Sequence, residues 1–283
     1  MGMAPDPQGG LRYSILDPTG NITALVESEV AIPDQPLVAA SIMERHPEVE
    51  QVGFVASTAE GDARVGTSLR MAGGEFCGNA SMCAAALHCA RTGLDTHEER
   101  QVWLRVSGAG DPVEVRLREE DGRFLACIRM PNALAIECVG LSFEGTSEDL
   151  PVVTLEGISH VVIERSSAFH ALRDVPQVAA RAIRQWCEEL SADGLGLLFL
   201  ERDGDHFRLD PLVFVSGGET LFWERSCASG SSAVGMFLAK RSGHPVDLAL
   251  HEPGGVLRVT SDPEKGETWL FGSVRFVGEY AKV

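Results

Sequence analysis

Two cysteines lie in matched surroundings. The segment at residues 75–93, EFCGNASMCAAALHCARTG, recurs in altered form at residues 223–243 as WERSCASGSSAVGMFLAKRSG. Cys77 precedes Gly93 by 16 positions, and Cys227 precedes Gly243 by the same 16. The copies lie 150 residues apart in a chain of 283. Each thiol stands before a small, polar turn that opens an apolar helix. A helix N-terminus presents free N–H groups and a partial positive charge. It binds an anion such as a carboxylate and lowers the pKa of a thiol placed there. Two such thiols across a cleft suit the movement of a proton from one face of a carbon to the other. Cysteine is not a preferred N-cap residue, so its presence at both places points to chemistry rather than capping.

A second matched pair precedes these turns. Asn21 follows Thr-Gly in one candidate hairpin, and His160 follows Ile-Ser in another. Each is also consistent with a purely structural polar residue in a turn. Glu75 and Glu224 stand just ahead of the cysteines. There they could hold a substrate ammonium or act as solvated loop charges.

The elements that must position these residues read in two similar runs. Strands are expected at residues 11–16, 22–26, 51–56, 67–72, 102–106, 113–118 and 123–130, with helices at 37–45 and 79–91. The second run places strands at 152–155, 160–164, 197–201, 212–215, 248–251, 255–260, 268–271 and 274–280. Its helices are expected at 177–190 and from the second cysteine turn to about 241. The helices after the cysteines carry Ala84, Ala85, Ala86, Leu87 and Ala90, and Val234, Met236, Phe237, Leu238 and Ala239. Helices apolar almost all round are buried. Mostly antiparallel strands around one such helix per half predict an α/β (α+β) fold in two similar domains, as the length also favours.

Composition narrows the partners. A net charge of −17, with scattered cations, argues against nucleic acid. No apolar run approaches the ~18 residues of a membrane span. The opening MGMAPDPQGG lacks a basic region and an apolar core, and Asp6 stands where a myristoylation signal needs Ser or Thr. It reads as a disordered tail. Seven cysteines, an odd number, suggest reduced thiols in the cytoplasm. Cys77, Cys83 and Cys89, spaced by six, match no metal-ligand pattern. Cys83, Cys89, Cys127, Cys138 and Cys187 read as buried, inert thiols. There is no P-loop, GxGxxG after a strand, HExxH or CxxC. The Ser-Gly-Gly at residues 216–218 is too common a loop to indicate phosphate binding. Nothing points to pyridoxal phosphate. A reaction without cofactor or metal, on a small molecule, is the simplest expectation.

At these residues the chain resembles the diaminopimelate epimerase and proline racemase superfamily. Cys77-Gly78-Asn79 is similar to that family's first catalytic motif. Glu224-Arg225-Ser226-Cys227 followed by Ala228-Ser229 resembles its second, with Ala228 in place of the usual Gly. Asn21 resembles the early Gly-Asn, and His160 the second-domain His. Gln51-Val-Gly-Phe, Trp223-Glu and Glu252-Pro-Gly-Gly bring the chain nearest to the histidine racemases of staphylopine-type metallophore synthesis. The resemblance implies two pseudo-symmetric lobes, each a mostly antiparallel sheet around a central helix. Residues 1–133 with 272–283 would carry Cys77, and residues 134–271 would carry Cys227. It implies Cys77 and Cys227 as catalytic residues of a pyridoxal-independent racemase. Asn21, Gly78, Asn79, His160, Glu224, Arg225, Ala228 and Ser229 would contact an amino-acid substrate: histidine first, another basic amino acid next. The segments that help hold diaminopimelate are altered: the spacer before Cys227 is short, and residues 71–75 replace the run before Cys77. Diaminopimelate epimerase, an isomerase of an unsaturated acid, a thiol redox sensor and a non-catalytic amino-acid-binding protein remain the alternatives. A homodimer is left open.

Overall fold

The computed structural model describes residues 10–57, 65–216 and 220–281. The tail at 1–9 and the two glycines of the 216–218 loop lie outside the described residues. The first half runs β1 (Arg12–Pro18), β2 (Thr23–Val26), α1 (Gln35–Arg45), β3 (Gln51–Ser57), β4 (Val65–Met71), α2 (Gly78–Thr92), β5 (Arg100–Val106), β6 (Val113–Glu120) and β7 (Arg123–Met130). The second runs β8 (Ala135–Phe143), β9 (Thr146–Leu155), β10 (Ile158–Glu164), α3 (Pro176–Glu189), β11 (Gly194–Asp203), β12 (His206–Val215), β13 (Thr220–Trp223), α4 (Ala228–Ser242), β14 (Val246–Glu252), β15 (Gly255–Asp262) and β16 (Glu267–Ala281).

The result is a mixed α/β fold with a barrel-like, sheet-rich core. The strand order is β1-β2-β3-β4-β5-β6-β7-β16-β15-β14-β12-β11-β10-β9-β8, with β13 added beside β12. The strands β1 to β7 close through β16, which pairs with both β7 and β1. Most neighbours are antiparallel. The parallel pairs fall at matching places: β2 with β3 and β4 with β5, then β10 with β11 and β12 with β14.

α2 and α4 are alike from cap to cap. Each starts at an extended cysteine N-cap and ends at a left-handed glycine, Gly93 (φ 63°) or Gly243 (φ 70°). Glycine takes that conformation without a Cβ penalty. Between the caps almost every side chain is buried, and both helices belong to one continuous core with strands of both halves. Small residues let the strands close in, while Met82, Leu87 and Leu238 each contribute about 1.5–3 kcal/mol by burial. The other two helices are amphipathic and pack against separate clusters. α3 buries Ala179, Ala182, Ile183, Trp186 and Cys187, and α1 buries Ala39 and Ile42.

Four expectations need correction. β8 was not foreseen: it pairs only with β9 at the end of the sheet, and its residues 135–140 stay wholly or partly exposed. Alternation is confined to its second half, Val139, Leu141 and Phe143, while the first half lies open. For the same reason Cys138, expected to be buried, is exposed. The two last strands are one, β16. Gly272, in the gap between the two expected strands, serves close approach: a Cβ there would lie 3.1 Å from Thr19 Oγ1 and 3.3 Å from Met82. The short edge strand β13 was also missed.

Candidate active site

The two cysteine turns meet. A Cβ built on Gly78 would lie 3.0 Å from the Ala228 Cβ. The Asn79 amide Nδ2 donates to the Ser226 carbonyl across this junction (3.1 Å). One cleft is lined by Cys77, Gly78, Asn79, Cys227, Ala228 and Ser229, together with Asn21, Gln51, Glu75 and Glu224. Asn79 Oδ1 is buried there without a hydrogen-bond partner among the described residues, as an acceptor kept for a ligand would be.

Each sulfur caps its own helix. Cys77 Sγ accepts from the Ala80 N–H and Cys227 Sγ from the Gly230 N–H, both at 3.4 Å. These donors favour a thiolate, as the helix start predicts, but burial opposes them and prevails. The Cys77 thiol is pushed up to about 12, burial being the main cause, with the charges of Glu224 and Glu75 adding to it. The Cys227 thiol is also pushed up, by burial first and then by the charges of Glu224 and Glu252. The expectation of lowered thiol pKa values is therefore not met: carboxyls rather than cations stand beside the sulfurs.

Those carboxyls are themselves shifted. Burial pushes Glu224 up to about 7, against the hydrogen bond it shares with the Cys227 thiol. Gln51 Nε2 lies 3.5 Å from its Oε1. Glu75 is raised mainly by burial, and its Oε2 has no hydrogen-bond partner. Asn21, on the β1–β2 turn, donates through Nδ2 to Glu50 at 2.8 Å.

His160 takes a different place from the one expected. It is fully buried on β10 behind the cleft wall, and its Nε2 lies 3.0 Å from Ser229 Oγ. Ser229 Oγ in turn lies 3.6 Å from Cys227 Sγ. Burial drives His160 down to about 3, so the ring is neutral. Its Nδ1 has no partner and faces Gly196, where a Cβ would approach to 2.2 Å. Arg225 is the other departure. Its side chain is exposed and outside the cleft lining; its carbonyl accepts the Gly254 N–H at 2.6 Å.

Four neighbours escaped the sequence reading: Glu50, Gly196, Ser226 and Glu252. Glu252 accepts the Cys227 N–H through Oε2 at 2.6 Å, and its Oε1 bonds Ser231 Oγ. Ser226 and Glu252 had drawn notice only as parts of segments that carry the resemblance, Glu224-Arg225-Ser226-Cys227 and Glu252-Pro-Gly-Gly. No spacing rule links a strand end to a helix start 25 residues earlier.

Comparison with known proteins gives the family and the fold. The profile described as "Histidine racemase CntK N-terminal domain" matches residues 10–279. The chain belongs to this histidine racemase family. This racemase is 29% identical over 278 residues to a histidine racemase of Fusobacterium nucleatum, covering 95% of each chain. It is 29% identical over 255 residues to a histidine racemase of Staphylococcus aureus, covering 89% of this chain and 88% of the relative. Solved structures share the fold. One is a predicted epimerase from Pseudomonas aeruginosa (TM-score 0.69, 16% identity, 96% of this chain and 99% of that one). Another is a probable proline racemase from Agrobacterium radiobacter (TM-score 0.70, 14% identity, 96% and 93%). The racemase is thus an isomerase with an epimerase-like fold. Among its described residues no helix is long and apolar enough to cross a membrane.

Proposed function

We propose that this racemase interconverts L- and D-histidine by two-base proton transfer at Cα between Cys77 and Cys227, without a cofactor. The observation that carries the proposal is the meeting of two cysteine-capped helix starts in one cleft. The Cys227 thiol proton passes to Glu224, whose carboxyl sits near 7 and already bonds that thiol. The Cys227 thiolate takes the Cα proton, and the C–H electron pair spreads into the substrate carboxylate. First-turn N–H groups at Gly78, Asn79, Ala228 and Ser229 hold that carboxylate and stabilise the charge arriving there. The Cys77 S–H then gives its proton to the opposite face of Cα and becomes the thiolate. For the other enantiomer the roles reverse. The substrate ammonium brings the positive charge that the cleft lacks, facing Glu75, Glu224 and Asn79 Oδ1. That charge favours the thiolate that burial alone disfavours.

The matched strand order supports two pseudo-symmetric lobes, residues 1–133 with 272–283 and residues 134–271, each wrapping α2 or α4. Seven unpaired cysteines fit a reducing, cytoplasmic setting. Histidine is the proposed substrate because the matched relatives are histidine racemases and the cleft is lined by carboxyls rather than cations. The test is Cα-proton exchange in deuterium oxide, followed by proton NMR with chiral analysis. L- and D-histidine should exchange fastest, lysine, arginine and ornithine more slowly, and glutamate and proline hardly at all. Fastest exchange with diaminopimelate would overturn the substrate and leave the two-thiol mechanism standing.

A further inference from the structure

Each cysteine turn is backed by a turn between two strands, and the two turns differ. Ahead of α2 stands the β5–β6 turn. There Ser107 Oγ donates to the Glu75 carbonyl (2.8 Å) and accepts the Met71 N–H (2.9 Å), and a Cβ on Gly108 would lie 2.3 Å from the Phe76 nitrogen. Ahead of α4 stands the β14–β15 turn. Its Gly254 holds the Arg225 carbonyl in the same manner, but here a carboxyl also reaches the helix. Glu252, 8% exposed, accepts the N–H of Cys227 itself and bonds the Ser231 hydroxyl one helical turn later. The turn is anchored on its other side. A Cβ on Gly20 would lie 2.4 Å from the Gly254 Cα, so the chain ahead of Asn21 packs directly on it.

We infer that Glu252 is a positioning residue for Cys227: its carboxyl ties the cysteine backbone and the first turn of α4 to a turn seated on Gly20, and so aims one thiol into the cleft it shares with the other. The inference rests on the reading that Cys227 transfers a proton. Cys77 has no carboxyl of this kind on its turn, which makes the two thiols inequivalent.

The charge state follows from the surroundings. The groups near Glu252 are Cys227 and Glu224 ahead of α4, Ser231 on α4, His251 on its own strand, and Asp210 on β12, which pairs with Arg173 at 2.7 Å. Burial, reinforced by the carboxylates, pushes Glu252 up to about 8. Below that pH it is a neutral acid. Ser231 Oγ donates to Oε1 of the carboxylate; in the neutral acid Oε2 still accepts the backbone N–H, so the proton sits on Oε1 and the bond to Ser231 reverses. Ionisation would set a second negative charge beside a sulfur that must itself become an anion.

The test uses Glu252→Ala and Glu252→Gln on the full chain. Alanine leaves a buried N–H without an acceptor, and kcat should fall about 10- to 100-fold while KM moves less than about 3-fold. Glutamine reproduces the neutral acid, accepting from Cys227 and donating to Ser231. It should restore most of kcat and, having no proton to lose, hold its rate above pH 8 where the parent declines. Iodoacetamide labelling read by peptide mapping adds a measurement independent of turnover. In Glu252→Ala the rate at Cys227 should change several-fold relative to that at Cys77. An alanine variant with normal kcat, or a glutamine variant with the parent's alkaline decline, would overturn the inference. Should Glu252→Ala not fold, the glutamine pH profile decides alone. Cys227→Ala separates the two levels: activity in that variant defeats the proton-transfer reading, whereas its loss beside an unaffected Glu252→Ala defeats only this inference.

Discussion

At the scale of single residues, the proposed chemistry depends on two sulfurs and on what stands behind them. Replacing Cys77 or Cys227 with alanine should abolish racemisation in a folded protein. Serine should cost at least about 100-fold, because a hydroxyl is a far weaker base than a thiolate. Steady-state rates in both directions check this, and near-normal turnover by either alanine variant would defeat the two-base mechanism. Gly196 offers a second test. An alanine there would place its Cβ 2.2 Å from His160 Nδ1 and force the ring away from Ser229. Overpacking of this kind costs about 1–3 kcal/mol. Gly196→Ala should therefore lower Tm by several degrees and reduce kcat; unchanged melting and turnover would show that His160 is not locked in place. Cys77, Cys227, Asn21, Gly78, Asn79, Glu224, Ala228 and Ser229 were all legible in the sequence, and all line the cleft. Arg225 and His160 lie outside the cleft lining. Arg225 is exposed just ahead of the second cysteine turn, whereas His160 is buried within strand β10 and reaches the site through Ser229.

At the scale of elements, the decisive contact joins the start of α2 to the start of α4. The two N-termini can approach because the residues there are small. Gly78→Val should wedge them apart, since even a single Cβ at that position lies 3.0 Å from Ala228 and 3.2 Å from the Met130 sulfur. Turnover should drop by about 10-fold or more, because small misplacements of reacting groups are costly. Gly78→Ala should be tolerated better, as the Met130 side chain can give way. Equal activity of the two variants would show that the helix starts have room to spare. The helices themselves were readable, from small-residue runs bounded by cysteine and glycine. β8 and β13 were not, because edge strands bury little and show weak alternation.

At the scale of the molecule, buried acids link folding to pH. Glu224 and Glu252 keep their protons to about 7 and about 8 in the fold, whereas an unfolded glutamate releases its proton near ~4.3. The native state thus binds more protons across that interval. Their contribution is fully present below the unfolded value and is lost as pH rises through the folded values. His160 acts with the opposite sign on the acid side. Lowered to about 3, it favours the fold above its unfolded value and disfavours it as pH falls. Comparing the parent with Glu252→Gln cancels the histidine. Between pH 5 and pH 8.5 the parent's Tm should fall further than the variant's, by differential scanning fluorimetry. Parallel curves would mean that Glu252 ionises normally.

The sequence by itself determined the paired cysteine turns and the two buried helices, because each is a local pattern: a cap, a small-residue run, a closing glycine; the racemase reading came from the resemblance of these motifs to a known family. Only the tertiary structure decided that the two turns abut, that β16 joins β15, β7 and β1, and that Glu252 holds Cys227. Those contacts join residues far apart in the chain, 25 positions for Glu252 and Cys227 and 147 for Asn79 and Ser226. Local propensity carries no information across such separations. The same holds for the charge of the site. A helix start alone favours a thiolate, and only the packed fold revealed that burial and neighbouring carboxyls outweigh it.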